Sequence, residues 1–172
     1  MFGEVSRRSV LIGGAVVGLA TACSPNKGND PDWVELSEGD LMFSRPERYR
    51  ELPGNDLFPK VYGRDGEQLS AVGTFKNFHE PTTVFDWLDT VMRANDVAGY
   101  RAIGWHVPKK SVQKADKTIL GSWTFTKNKE KRYGYWIIAS RDGNTCVVEL
   151  RLTKDNPQFV DTVISKMSLG SR

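Results

Sequence analysis

The chain has 172 residues, of which 39% are apolar, 10% aromatic and 26% charged, a length and balance that suit one globular domain. That composition excludes a disordered or collagen-like chain. A net charge of +3 without any run of five like charges excludes a nucleic-acid-binding arm.

The first thirty residues read as an address. Arg7 and Arg8 form a basic start and Val10 to Ala20 a short apolar stretch interrupted by Gly13, Gly14 and Gly18, the pattern of an export signal over residues 1–22. Eleven residues are too few to span a bilayer as a helix, which takes about 20. Ser6-Arg7-Arg8-Ser9-Val10-Leu11 resembles the twin-arginine export motif, with Val10 where that motif usually has Phe. Leu19-Ala20-Thr21-Ala22-Cys23 resembles a lipobox, with its aliphatic residue one step early. This resemblance implies cleavage before Cys23 and acylation of its thiol. The alternative is cleavage after the Ala20-Thr21-Ala22 site to give a secreted protein without a lipid. Residues 23–32, with Pro25, Gly28 and Pro31, are then a lipidated N-terminus and flexible tether, and residues 33–172 one globular domain.

Within the domain, Trp33–Ser37 and Leu41–Ser44 read as two strands of a hairpin around Glu38-Gly39-Asp40. The Pro- and Gly-rich stretch 46–66 reads as mostly loop, and Leu69–Phe75 as a strand. From Val84 the apolar residues Val84, Trp87, Leu88, Val91 and Met92 follow a helical period, with Thr83 and Asp86 as a capping-box-like start and Asp96 to Gly99 as the stop. Strands follow at Arg101–Val107, Ile119–Thr126, Tyr133–Ser140 and Thr145–Thr153, the last two joined by the hairpin signal Asp142-Gly143. In the last strand Cys146, Val148, Leu150 and Leu152 share the core face, while Glu149 and Arg151 are expected on a partly wet one. A second helix closes the chain, capped by Asn156 with Pro157 first and an apolar stripe of Phe159, Val160, Val163, Ile164 and Met167. The expected fold is α+β, a largely antiparallel sheet with an N-terminal hairpin, packed between helices.

That order of elements, with the hairpin ending Phe43-Ser44-Arg45-Pro46 and a last helix over 159–168, resembles the PsbP-like α/β/α sandwich. Within it the chain looks most like the actinobacterial LpqN/LpqT-type cell-envelope lipoproteins. The resemblance implies an exported, membrane-anchored, non-enzymatic protein on the extracytoplasmic face of the cell membrane, and it supplies no catalytic residues.

The residues themselves point the same way. His79 and His106 stand apart, without the spacing of a zinc site. Cys146 alternates with apolar residues and reads as a buried thiol rather than a nucleophile. No nucleophile elbow, phosphate loop or dinucleotide fingerprint occurs, so neither cofactor nor metal is expected. Trp105, Trp123, Tyr133, Tyr135 and Trp136 concentrate in the sheet, chiefly as core, with an aromatic-lined groove at an end of the sheet as the functional reading. Phe58 and Tyr62 in the long loop are candidate partner contacts. The expected function is capture of a protein partner or an apolar envelope molecule, with nucleic acid excluded. Its rivals are a hydrolase using His79 or His106 and an assembly factor without a small ligand.

Overall fold

The computed structural model describes residues 32–75 and 78–170. Ten strands and two helices follow in order: β1 (Trp33–Glu38), β2 (Leu41–Pro46), β3 (Arg50–Leu52), β4 (Lys60–Arg64), β5 (Glu67–Val72), α1 (Pro81–Ala94), β6 (Arg101–His106), β7 (Lys117–Lys127), β8 (Glu130–Arg141), β9 (Asn144–Leu152), α2 (Pro157–Ser165) and β10 (Ser168–Leu169). Seven strands form an antiparallel sheet in the order β3-β4-β5-β9-β8-β7-β6, and β1, β2 and β10 form a smaller one.

The large sheet is the middle layer. On one face α1 sets Val84, Phe85, Leu88 and Met92 against Ile119, Trp123, Trp136, Ile138 and Val147. On the other, α2 and the small sheet bring Val160, Val163, Ile164, Leu41 and Phe43 against Ile137, Val148, Leu150 and Cys146. Alternation along β8 and β9 feeds both cores at once, so the central strands are apolar on both faces. The α+β sandwich expected from the sequence is thus the observed one.

Tight hairpins hold the register. Asp65-Gly66, Asn128-Lys129 and Asp142-Gly143 each connect two strands with both residues at positive φ, the turn geometry whose twist matches that of the paired strands. Asn156 caps α2 by accepting from the Phe159 N–H at 3.1 Å, with Pro157 at the first turn.

Several expectations are corrected. The stretch 46–66 is mostly turn and loop, as expected, but it also holds β3 and β4, short strands at the sheet's far end that its prolines and glycines obscured. Helix α1 starts at Pro81, earlier than the Thr83–Asp86 pattern, and Glu80 before it makes no side-chain cap; the fixed φ of Pro81 serves instead. The closing helix ends at Ser165, and Ser168 belongs to β10. The second face of β9 is drier than expected: Val147 and Glu149 are buried, and only Arg151 stays partly exposed.

Candidate functional site

Helix α2 and the small sheet do not cover all of their face. Over β6, β7 and β8, beside the first turn of α2, lies an open groove of about 600 Å³. Leu120 and Ser122 of β7, Tyr133 and Tyr135 of β8, and Val160 of α2 line it, with Ile103 and Val107 along its outer wall. Neighbouring strands place these side chains together: Ser122 stands opposite Tyr135 and Thr124 opposite Tyr133, and His106 opposite Leu120.

The walls are held rigidly. The Tyr135 hydroxyl donates to the Asp155 carboxylate just before α2. Burial, then that hydrogen bond and the carboxylate's charge, raise the Tyr135 hydroxyl far above the ordinary tyrosine range, so it stays a donor. At the rim, the Lys131 ammonium lies 5.3 Å from the centre of the Tyr133 ring, a cation over an aromatic face. Lys109 and Asp161 complete a polar edge around an apolar floor, the usual make-up of a small-molecule site. Another depression beside Arg141 and Cys146 measures about 30 Å³, room for one water.

Exposed apolar residues concentrate at the same place. Ile103 is 66% exposed, Val107 68% and Trp105 45%. Ile103 sits at a register shift between Ala102 and Gly104, a bulge that turns its side chain toward the groove. Trp105 stands opposite Gly121, which lies under Phe85 of α1, and so belongs to the other face of the sheet.

The residues singled out from sequence separate. Phe58 and Tyr62, expected as partner contacts, are only 4% and 5% exposed and are corrected to packing residues. Asn55 accepts from the Leu57 and Phe58 N–H groups and turns Phe58 inward, where it joins the core under α1. Tyr62 joins the opposite core, with its ring 6.3 Å from that of Phe43. His79 is an exposed loop residue whose Nδ1–H donates to the Gly143 carbonyl at 2.6 Å. His106 lies in the sheet as expected, at the end of β6, with its side chain exposed at the groove wall. Among the described residues no group of three His, Cys, Asp or Glu could hold a metal ion. Cys146 is buried in the core, and burial pushes its thiol up to about 12. Arg7, Arg8, Cys23 and the tether lie outside the described residues, and no described helix is long and apolar enough to cross a membrane.

Sequence reasoning missed the groove's outer wall. The signal was the stretch 97–115, which has no acidic residue and sets Ile103, Trp105 and Val107 at alternate positions.

This arrangement, a large antiparallel sheet between one long helix and a layer of short helix plus small sheet, is the Mog1/PsbP-like α+β sandwich. The Saccharomyces cerevisiae Ran-binding protein Mog1p superposes with a TM-score of 0.51 at 10% identity, over 81% of this chain and 96% of its own. A variant of Mog1 gives 0.50 at 12% identity over the same shares. LpqN, involved in cell envelope biogenesis of Mycobacterium tuberculosis, aligns at 15% identity and a TM-score of 0.45, over 81% and 91% of the two chains. The likeness is one of fold. No family model and no curated protein matches the sequence.

Proposed function

We propose that this is an exported lipoprotein, acylated on Cys23 and held at the extracytoplasmic face of the cell membrane, whose domain binds an apolar envelope molecule without transforming it. The observation that carries the binding role is the groove: Ile103, Val107 and Tyr133 offer accessible apolar surface above a floor whose Leu120, Tyr135 and Val160 are packed into the core. Burying such a floor under a hydrocarbon ligand returns about 25 cal/mol per Å² removed from water. The anchoring role rests on the twin-arginine-like and lipobox-like residues of the first 23 positions. A tether of residues 24–32 reaches at most about 30 Å when extended. Fold likeness to a Ran-binding protein carries no partner across to this chain.

A dodecyl chain bearing a fluorescent dansyl group serves as the probe. It should bind saturably to the wild-type chain, and Ser122→Trp, which fills the floor, should remove binding at an unchanged melting temperature. Equal binding by both proteins would move the site elsewhere. Mass spectrometry of membrane-extracted protein should find the lipid on Cys23, and replacing Arg7 and Arg8 by Lys should leave precursor in the cytoplasm. A soluble form starting at Cys23 with a free thiol would refute the anchor.

The hydrolase reading has one observation in its favour, His106 at the wall of a groove that Asp155 and Asp161 also line. Asp155 is engaged by Tyr135. His106→Ala, like His79→Ala, should leave function intact; a folded but inactive His106→Ala protein would reinstate catalysis.

A further inference from the structure

We propose that β6 is a docking edge for an extended, acid-flanked segment of a partner protein, which adds as an eighth strand to the large sheet. This goes beyond the groove: the added strand would pair with the open backbone edge of β6, although Ile103 and Val107 also form the groove's outer wall.

Among the described residues β6 has a strand neighbour, β7, on one side only. Its outer backbone N–H and C=O groups are a template for a further strand. Natural edge strands are blunted by charge, by bulges or by being short. This one has a bulge at Ile103 and cations at its ends, yet it exposes Ile103, Trp105 and Val107, three of the four large exposed apolar residues among those described. They project from both faces of the sheet, with the backbone edge between them.

That geometry decides between two anionic surfaces. A bilayer pressed onto both side-chain rows would bury the open backbone edge in lipid, where its N–H and C=O groups find no hydrogen-bond partner. An added strand covers the same side chains and satisfies the same groups.

Charge selects the flanks. From position 97 to 115 the chain carries Arg101, Lys109, Lys110 and Lys114 and no Asp or Glu. Arg101 and the Lys109-Lys110 pair bracket the exposed strand, so an incoming segment meets positive charge at both ends. A second copy of this chain, pairing antiparallel about a two-fold axis, would set Arg101 against the lysines of its mate, a like-charge match that disfavours self-assembly. The complementary partner is a short apolar strand with Asp or Glu on either side.

The test uses the full chain and a fluorescein-labelled peptide with a Val-Thr-Val-Thr-Val core flanked by two Asp at each end. Binding is expected to weaken about tenfold when the flanks are Lys and to vanish when the central Val is Pro, which cannot donate in a strand. The variant Lys109→Glu/Lys110→Glu, exposed and remote from the core, should melt like wild type and lose its preference for acidic flanks. Bound peptide should slow amide exchange over 101–107, and Ser122→Trp should still bind it, which separates this edge from the groove. Equal affinity for both flanks, retained binding of the Pro peptide, or protection outside 101–107 would overturn the proposal. So would self-association of the chain, or adsorption to phosphatidylglycerol vesicles with no peptide binding.

Discussion

Glu149→Ala is expected to be among the most damaging single changes in this domain. The Glu149 carboxylate is 2% exposed and accepts from two donors, the Trp136 indole Nε1–H at 2.9 Å and the Arg151 Nε–H at 2.7 Å. Trp136 is itself fully buried, so truncation leaves its N–H unpaired in the core at a cost of about 1–3 kcal/mol. Arg151 loses its partner too. Its side chain is about one-third exposed and its guanidinium lies 5.5 Å from the Trp123 ring centre and 5.8 Å from that of Phe125. Water can therefore take over part of its solvation, which places the total near the low end of the 3–5 kcal/mol typical of a broken buried pair. Urea unfolding should register about 3 kcal/mol, a midpoint shift of about 1.5 M for a slope near 2 kcal/mol per M. Glu149→Gln keeps an acceptor for the indole and should cost less. Trp136→Phe removes the orphaned donor, so the double variant with Glu149→Ala should be about 1–2 kcal/mol less damaged than the two singles predict together. A cost below about 1 kcal/mol, or strict additivity of the pair, would refute the account.

Three further outcomes follow from the packing. Gly134→Ala would set a Cβ 2.1 Å from the Trp123 ring and should destabilise by about 1–3 kcal/mol through overpacking, with a changed near-ultraviolet tryptophan dichroism; an unchanged midpoint would mean the ring moves freely. Phe58→Ala should cost about 3–5 kcal/mol in unfolding, whereas a loss of binding at full stability would return Phe58 to the surface. Cys146 should label slowly in the folded chain and fast in denaturant. Because burial raises its thiol to about 12 when folded, the unfolded chain ionises first. Its contribution to stability is therefore complete below about pH 8.5 and declines by about 1.4 kcal/mol per pH unit above it until the folded thiol also ionises. Cys146→Ala should remove that slope, and an identical alkaline profile would count against the burial.

The sequence made the two helices, the central strands and the Asp142-Gly143 hairpin legible because each rests on local chemistry: a 3.6-residue apolar period, Asn156 as cap, a turn that needs positive φ. Cys146 was placed correctly by alternation alone. The failures are non-local. Glu149 reads as a wet-face acid within its own strand, and only the register that sets Trp136 opposite it supplies the indole donor that lets it be buried. Tyr62 and Phe58 sit among prolines and glycines, where nothing in the local pattern tells a core plug from a contact patch; the Asn55 turn and the pairing of β4 with β5 turn them inward. The groove belongs to no segment. It exists because the short α2, whose first turn borders it, leaves the β6 end of the sheet uncovered.

That last point has a geometric origin. Seven strands at about 4.8 Å spacing make a sheet about 29 Å across, and each face needs a roof. On one face α1, 14 residues and about 21 Å long, crosses β7 and β8 with Phe85 over Gly121 and against Trp136. On the other, α2 has nine residues and about 14 Å, and the small sheet beside it rests on the same core. The strands at the β6 end are therefore left open on that face. A sheet that only needed to meet water would carry polar side chains there, as Ser122 and Thr124 do. Leu120, Tyr133 and Tyr135 remain in the floor, and Ile103 and Val107 stand exposed above it, at a cost in solubility that a monomer gains nothing by carrying. The short helix makes the opening, and the apolar residues kept within it are what the proposed binding role rests on.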